Sequence, residues 1–248
     1  MDIESAITWY RDSQFDAADM QRATGLSERS QRELLKLGIL QAVPQLRTAT
    51  RLFDARMLKR AALIYPLNKH GGFSLQLSGK MIYANSIIES LLFSTIDPWL
   101  VYNRTGAKQR AEQEWHWLTS NESLTTKPSD YYVAVINGHY VVAGWIDNLV
   151  AYGHLTDDKT DIVVYRGAVW DELIQPSGDI SEWSDSELHP RSALTGNSRN
   201  FKSRNATEAE REAFRQALDS PISKFSVNAS LTLRMAMRRL LRFGGAAL

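Results

Sequence analysis

The chain has 248 residues, of which 44% are hydrophobic and 23% charged, and these proportions favour a folded globular protein over a disordered one. It contains no cysteine, which excludes disulfide bonds, thiolate metal ligands and a cysteine nucleophile. The sequence shows neither a secretory signal pattern nor the run of roughly 18 apolar residues that a membrane span needs. We therefore expect a soluble cytoplasmic protein with no membrane partner.

The net charge of +1 is distributed unevenly along the chain. Residues 21–80 carry 11 Lys or Arg and three acidic residues, a local charge of +8. Residues 81–190 carry six basic and 16 acidic residues, and residues 191–248 carry 11 basic and four acidic residues. Only the two basic ends are suited to a polyanion such as nucleic acid.

Two short helices joined by a glycine-containing turn are predicted near the start of the chain. Asp16 can cap the first helix, which Thr24 and Gly25 end. Ser27 can cap the second helix, which Gly38 ends. A turn of about three residues between two such helices is typical of a helix-turn-helix.

The second helix, with the sequence ERSQRELLKL, is predicted to present a cationic face. Its inward positions would be Leu26, Ser30, Leu34 and Leu37, and its outward positions Glu28, Arg29, Gln31, Arg32 and Lys36. Arginine can bind phosphate or the major-groove edge of guanine, and glutamine can contact adenine at two points. A solvated surface helix in a structural hairpin is the alternative interpretation.

The residues that follow are predicted to form a two-stranded wing. A short apolar strand after Gly38 leads into a loop that carries Arg47 and Arg51, and the chain returns through RLF to a helix capped by Asp54. In this order, residues 15–77 resemble the winged-helix DNA-binding domain of the MerR family of transcription regulators. The resemblance is carried by residues 24–27, Arg29, Arg32, residues 38–40, Arg51, Phe53 and residues 72–75.

This resemblance implies that double-stranded DNA is the partner. The implied contact residues are Ser27, Arg29, Ser30, Gln31, Arg32, Lys36, Arg47, Thr48 and Arg51. Arg29, Arg32 and Lys36 would meet the major groove and adjacent phosphates, while Arg47 and Arg51 would hold the neighbouring backbone. A homodimer would let the protein read two half-sites, and a small-molecule effector of unknown identity would fit a regulator.

The second half of the chain is predicted to contain an antiparallel sheet. YYVAVINGHYVVAGWI holds two strand-like runs around Asn137 and Gly138, a dipeptide that favours a tight hairpin, and TDIVVYRGAVWDEL supplies another strand. The segment AKQRAEQEWHWLTS before them has a helical pattern. The predicted fold class is therefore α+β.

Four parts of the chain are predicted. Residues 1–80 form a winged helix-turn-helix DNA-binding domain, and residues 81–175 form a small antiparallel-sheet α+β domain for assembly or sensing. Residues 176–206 form an irregular linker, because they are rich in Ser, Asn, Asp, Gly and Pro. Residues 207–248 form C-terminal helices, the first capped by Thr207 with Glu210 in capping-box position.

Two features of the second half are candidate functional sites. Six of the seven tryptophans lie from Trp99 to Trp183, which fits core packing better than an aromatic ligand pocket. Metal ligands or acid–base groups could come from His116, His139, His154, Glu112, Glu114 and Asp147. Their spacing matches no known motif, so we predict no metal site, no cofactor and no enzymatic activity.

The last helix, SLTLRMAMRRLLRF, opposes an apolar face to a cationic one that includes Arg234, Arg238, Arg239 and Arg242. It could lie on a membrane, dimerise, add a DNA contact or dock on the acidic middle segment. Arg191, Arg199, Lys202 and Arg204 near the end of the linker could also touch phosphate.

The sequence thus predicts a bacterial, sequence-specific DNA-binding transcription regulator. One alternative is an architectural or recombination-directionality DNA-binding protein. Another is a ligand-binding protein or enzyme that uses the tryptophan-rich second half.

Overall fold

A computed structural model describes residues 14–43, 51–84, 116, 118, 120, 122–127, 130–146, 148–165 and 202–243. Within this part of the chain the protein is an α+β structure, with helices at the N-terminal end, a mainly antiparallel sheet in the middle and helices near the C-terminal end. The predicted fold class is confirmed at this level. No helix in the described part is long and apolar enough to cross a membrane.

Four helices form the N-terminal layer. They are α1 (Ala17–Thr24), α2 (Glu28–Lys36), α3 (Ala55–Lys69) and α4 (Leu75–Ala84). The turn between α1 and α2 has three residues, as predicted, and Asp54 caps α3 by accepting a hydrogen bond from Met57 N at 2.8 Å. The helical segment predicted at residues 107–120 lies mostly outside the described residues.

The sheet has six strands in the order β5-β4-β3-β2-β1-β6. The strands are β1 (Tyr131–Ile136), β2 (Tyr140–Trp145), β3 (Asn148–Leu155), β4 (Ile162–Tyr165), β5 (Lys202–Arg204) and β6 (Lys224–Asn228). All neighbouring pairs are antiparallel except β4 and β5, which are parallel. Strand β5 lies in the segment predicted as an irregular linker, and β6 lies among the predicted C-terminal helices.

The hairpin predicted at Asn137 and Gly138 is confirmed. Both residues adopt positive φ angles, 54° and 61°, and His139 N donates to the carbonyl of Ile136 at 3.0 Å. The Asn137 side chain also accepts hydrogen bonds from the backbone N–H groups of Ile222 (2.9 Å) and Ser223 (3.1 Å). The hairpin therefore anchors the loop that leads into β6.

Two helices follow the sheet in the chain. They are α5 (Glu208–Asp219), which begins with the predicted capping box of Thr207 and Glu210, and α6 (Ala229–Phe243). Helix α5 covers one face of the sheet, where Phe214 and Ala217 pack in a cluster with Ala134 and Ile136.

The opposite face of the sheet shares one continuous core with the N-terminal helices. Helix α6 joins the two, because it packs against α1, α3 and β1. Leu233 and Met237 of α6 belong to the same buried cluster as Met20 of α1 and Val133 of β1. The N-terminal helices are therefore held on the sheet by α6 and by direct contacts of α3 with β6 and of α4 with β4.

Candidate nucleic-acid interface

Local contacts fix both ends of α1. Asp19 N donates to Asp16 Oδ1 at 2.8 Å, and the Asp19 side chain accepts from Asp16 N at 3.4 Å, which forms a capping box. Gly25 ends α1 with a φ of +83°, and a Cβ at this position would lie 2.8 Å from Cζ of Tyr65. The backbone at Gly25 therefore excludes a side chain for two reasons, its left-handed conformation and its close approach to Tyr65.

Ser27 and Ser30 shape the first turn of α2. Ser27 Oγ accepts a hydrogen bond from Ser30 N at 3.3 Å, and the two hydroxyl oxygens lie 3.0 Å apart. Ser27 is exposed and Ser30 half-buried. The cap predicted at Ser27 is confirmed, and Ser30, which was predicted both to face inward and to contact DNA, lies at the margin of the exposed face.

Three cations lie in one row along the exposed side of α2. Arg29, Arg32 and Lys36 are separated by three and four residues, so they share one helix face, and all three are exposed. None of them forms a hydrogen bond or an ion pair with another described residue. The row therefore presents three cations without a partner among the described residues, on a helix that also exposes Glu28 and Glu33.

Gln31 corrects the predicted exposed face. Only 1% of this residue is exposed, although it was predicted to point outward and contact DNA. Its Nε2 donates to the carbonyl oxygens of Ala17 (2.9 Å) and Leu26 (2.8 Å), so the amide ties α2 to α1 and to the turn. The prediction was wrong because helical periodicity does not reveal the two backbone carbonyls that accept hydrogen bonds from Nε2 and hold the side chain inside.

Leu37 also differs from the prediction, which placed it in the core. It is 42% exposed, because α2 ends there and Gly38 takes a φ of +70°. The N–H groups of Ile39 and Leu40 then donate to the carbonyl of Leu34 at 2.9 and 3.2 Å. Ile39 and Leu40 are buried in the core beside Leu34, which leaves Leu37 at the surface.

The segment around Arg51 runs beside α1. Phe15 and Phe53 form an isolated antiparallel bridge with two N–H···O bonds of 2.8 Å, and Val43 N donates to the carbonyl of Leu52 at 2.8 Å. These bonds bring together the two ends of the loop predicted as a wing. Arg47 and Thr48 lie in residues 44–50, outside the described residues, so their predicted DNA contacts stay predictions.

A cleft of about 420 Å³ separates α2 from the Phe15–Phe53 bridge. Its lining residues are Asp16, Ala17, Ala18, Glu28, Gln31, Arg32, Leu35, Arg51 and Phe53. Arg32 of the helix and Arg51 beside the loop therefore meet at one concavity. Both residues were predicted as DNA contacts, but the sequence did not predict the cleft between them.

Several cations elsewhere in the described part of the chain are already paired. Arg204, which was predicted as a possible phosphate contact, forms an ion pair and two side-chain hydrogen bonds with Glu210. These contacts hold the pKa of Glu210 far below its usual value. Lys80 lies 3.2 Å from a carboxylate oxygen of Asp161. The cations of the row on α2 have no such partner among the described residues, which supports a role for them in binding another molecule.

The four arginines of α6 divide into two exposed residues, Arg239 and Arg242, and two that dock on the middle segment, which was one of the alternatives for this helix. Arg234 and Arg238 are each only 8% exposed. Arg234 pairs with Asp130, and Arg238 donates to the carbonyl of Glu122, so α6 docks on the acidic middle segment. Arg239 Nη1 also donates to the carbonyl of Ala23 in α1 at 3.4 Å.

Two of the three candidate histidines, His139 and His154, come together where β2 begins and β3 ends. The rings of His139 and His154 are stacked with centroids 5.2 Å apart, and His154 Nδ1 lies 2.9 Å from the hydroxyl of Tyr165. Burial, the neighbouring His139 and the charge of Arg204 lower the pKa of His154. The described residues contain no group of three or more His, Asp and Glu that could hold a metal ion. Glu112, Glu114 and Asp147 lie outside them.

Comparison of the chain with protein-family models, with curated proteins and with solved structures gives no match. We therefore infer a function from the geometry and charge of the surfaces described above.

Proposed function

We propose that the protein is a sequence-specific DNA-binding transcription regulator that contacts double-stranded DNA through α2. The observation that carries the proposal is the row of Arg29, Arg32 and Lys36, exposed and unpaired among the described residues, on the second of two capped helices joined by a three-residue turn. Burying such a row against phosphate releases counterions from the DNA, which supplies binding free energy.

The dimensions of α2 suit the major groove. The helix has nine residues, and an α-helix with its side chains is about 10–12 Å in diameter. The major groove of B-form DNA is about 12 Å wide and admits one helix. Because Gln31 is buried, base reading falls to Arg29 and Arg32, and arginine prefers the O6 and N7 acceptors of guanine. We therefore expect guanine in the preferred site.

Arg51 supports a second contact region beside the helix. It is exposed and shares the cleft with Arg32. As part of the proposed winged helix over residues 15–77, Arg51 would bind a backbone phosphate, and Arg47 in the adjoining loop would bind another. Such contacts fix the register of the helix on the duplex without reading its sequence.

The second half of the chain would serve assembly or sensing. A nine-residue helix reaches only a few base pairs, so specific affinity calls for a homodimer that reads two half-sites about 34 Å apart. Helix α6 supports this role of the second half, because it packs on α1 and is bonded to Asp130 at the start of β1. A change in the sheet thereby has a direct mechanical route to the helix-turn-helix.

The experiment is selection from a random duplex library with the purified full-length protein, followed by binding of the enriched duplex and a scrambled duplex. We expect an enriched, guanine-containing inverted repeat that binds at least about a thousandfold tighter than the scrambled duplex. Replacing Arg32 with Ala should reduce this ratio, whereas replacing Arg211 with Ala should not, because Arg211 is an exposed cation on α5. Failure to enrich any duplex would refute the proposed function.

A further inference from the structure

The cleft beside α2 brings together two arginines, a buried glutamine and an apolar wall. We propose that it binds a small organic carboxylate with an apolar ring and a hydrogen-bond donor, and that this ligand regulates DNA binding. The site stands on its own contacts, while its regulatory effect rests on the proposed function. Its volume of about 420 Å³ lies within the range of about 300–1,000 Å³ that is common for ligand pockets.

Two guanidinium groups supply the anion contact. Arg32 and Arg51 both line the cleft, and neither forms an ion pair or a hydrogen bond with another described residue. Guanidinium groups match the geometry of a carboxylate and bind it through paired N–H···O contacts. A ligand carboxylate between Arg32 and Arg51 would give each guanidinium a direct ion pair, which neither has with a described residue.

Gln31 provides an acceptor atom, Oε1, that calls for a hydrogen-bond donor on the ligand. It lines the cleft, although only 1% of the residue is exposed. Its Nε2 donates hydrogen bonds to two backbone carbonyls, and neither bond involves Oε1. Its Oε1 is buried without a hydrogen-bond partner, which is an unfavourable state for a polar atom. Because Oε1 is covered, a ligand hydroxyl or N–H group would satisfy it only once the Gln31 side chain turns toward the cleft, and the proposal includes this movement.

The remaining walls select the ligand further. Phe53, Leu35, Ala17 and Ala18 provide apolar surface for a ring. Asp16 and Glu28 also line the cleft, and their negative charges oppose a polyanion while tolerating one carboxylate that lies near the arginines. A monoanionic ring compound therefore fits this cleft better than a run of phosphates does.

Occupation of the cleft would affect DNA binding directly. Arg32 belongs to both sites, so a carboxylate held between Arg32 and Arg51 would remove charge from the DNA-contact face. By linkage, DNA and the ligand would each lower the affinity for the other. The ligand would thus act as a releasing effector.

The test uses ligand-detected saturation-transfer NMR on the full chain without DNA. The probes are 4-hydroxybenzoate, benzoate, 4-methoxybenzoate and the uncharged benzamide. We expect 4-hydroxybenzoate to bind most tightly, because it alone carries both the carboxylate and a donor, and benzamide to bind most weakly. Replacing Arg51 or Arg32 with Ala should weaken 4-hydroxybenzoate binding about tenfold, whereas Lys36→Ala should reduce DNA affinity and leave ligand binding unchanged.

Three results would overturn the site: no binding of any carboxylate at millimolar concentration, equal binding of benzamide and benzoate, or equal losses in Lys36→Ala and Arg51→Ala. A final step adds the ligand to the complex with the selected duplex, where we expect release of DNA. Ligand binding in a protein that enriches no duplex would refute the proposed function and retain the site. Duplex binding that 4-hydroxybenzoate leaves unchanged would refute the regulatory effect.

Discussion

Arg234 Nη2 donates to Asp130 Oδ1 across 2.6 Å, and this buried ion pair joins two residues that are 104 positions apart. Asp130 Oδ2 accepts two further hydrogen bonds, from Asn228 Nδ2 at 2.8 Å and Lys127 N at 2.9 Å. Asn228 in turn caps α6, since its Oδ1 accepts from Leu231 N at 2.8 Å. The carboxylate therefore ties the start of β1 to the helix that packs on α1.

Replacing Asp130 with Ala should lower the free energy of unfolding by about 3–5 kcal/mol, because it leaves the buried Arg234 without this carboxylate. Urea denaturation at pH 7 measures the change. The control is Asp157→Ala, an exposed acidic residue, which should change the free energy by less than about 0.5 kcal/mol. Equal stability of the two variants would show that the pair does not hold α6 to the sheet.

The same variant tests the pH dependence of this contact. Burial alone would raise the pKa of Asp130, but its hydrogen bonds with Arg234, Asn228 and Lys127, together with the charge of Arg234, bring the pKa below the ordinary 3.8. The stabilisation is therefore complete above pH 3.8 and is lost as the pH falls through the lower, folded-state pKa. Urea titrations should show that the gap between the wild type and Asp130→Ala is constant from pH 7 to pH 5 and narrows below pH 3.8.

Alanine substitutions at Gly25 and Gly72 distinguish the cost of a left-handed backbone conformation from the cost of a steric clash. Both have positive φ angles, +83° and +73°, but a Cβ at Gly25 would meet the ring of Tyr65 whereas one at Gly72 would meet no atom within 4 Å. Gly72→Ala should cost about 1–2 kcal/mol for the left-handed conformation alone. Gly25→Ala should cost about 1–3 kcal/mol more because of overpacking. Chemical denaturation of both variants tests this, and equal losses would contradict the close approach to Tyr65.

Gln31 should behave as a buried donor and not as a DNA contact. Gln31→Glu replaces the Nε2 donor with an acceptor beside the carbonyls of Ala17 and Leu26, so it should destabilise the protein more than Gln31→Leu at pH 7. The difference should shrink near pH 4, where a protonated glutamic acid can donate. Denaturation of both variants at the two pH values measures it. A Gln31→Leu protein with wild-type stability and weakened duplex binding would contradict the structural role.

His154 should titrate below the usual histidine value of 6.5. Burial is the largest cause, and His139 and Arg204 add to it, so His139→Ala should raise the pKa of His154. Since the folded state binds this proton less readily than the unfolded chain, the fold should lose stability as the pH falls from 6.5 through the His154 pKa. NMR titration of the imidazole resonances measures both values. An unchanged His154 pKa in His139→Ala would exclude coupling between the stacked rings.

Local signals in the sequence were sufficient for much of the helix and turn placement. The caps at Asp16, Ser27 and Thr207 depend on residues within three positions, and the Asn137–Gly138 turn depends on two adjacent residues that accept positive φ angles. Interactions of this range are visible in the sequence. Each of these predictions is confirmed.

Strands β3 and β6 were not predicted, because their stability comes from distant partners. Strand β6 has the sequence KFSVN, whose alternation is short, and it forms by pairing with β1 from Tyr132 to Ile136. Strand β3 contains Gly153, whose added Cβ would lie 2.5 Å from the carbonyl oxygen of Val163. A glycine of this kind weakens strand propensity while permitting close approach of the neighbouring strand.

The exposed face of α2 shows the same difference between local signals, which the sequence reveals, and tertiary contacts, which it does not. The exposure of Arg29, Arg32 and Lys36 follows from helical periodicity, and it was predicted correctly. The burial of Gln31 depends on where α1 presents the carbonyl of Ala17, which is a tertiary relationship 14 residues away. The cleft between Arg32 and Arg51 likewise exists only once the Phe15–Phe53 bridge has formed.

The most direct test of the DNA-binding claim is the salt dependence of duplex affinity. The test protein carries Arg29→Ala, Arg32→Ala and Lys36→Ala, and a control with the same charge change carries Arg211→Ala, Lys224→Ala and Arg242→Ala at other exposed positions. Each lost phosphate contact should reduce the slope of log affinity against log salt by about 0.9, so we expect a reduction of about 0.9 to 2.7 in the test protein. The control should retain the wild-type slope. Equal slopes for the two variants would show that the α2 row is not the DNA-binding surface.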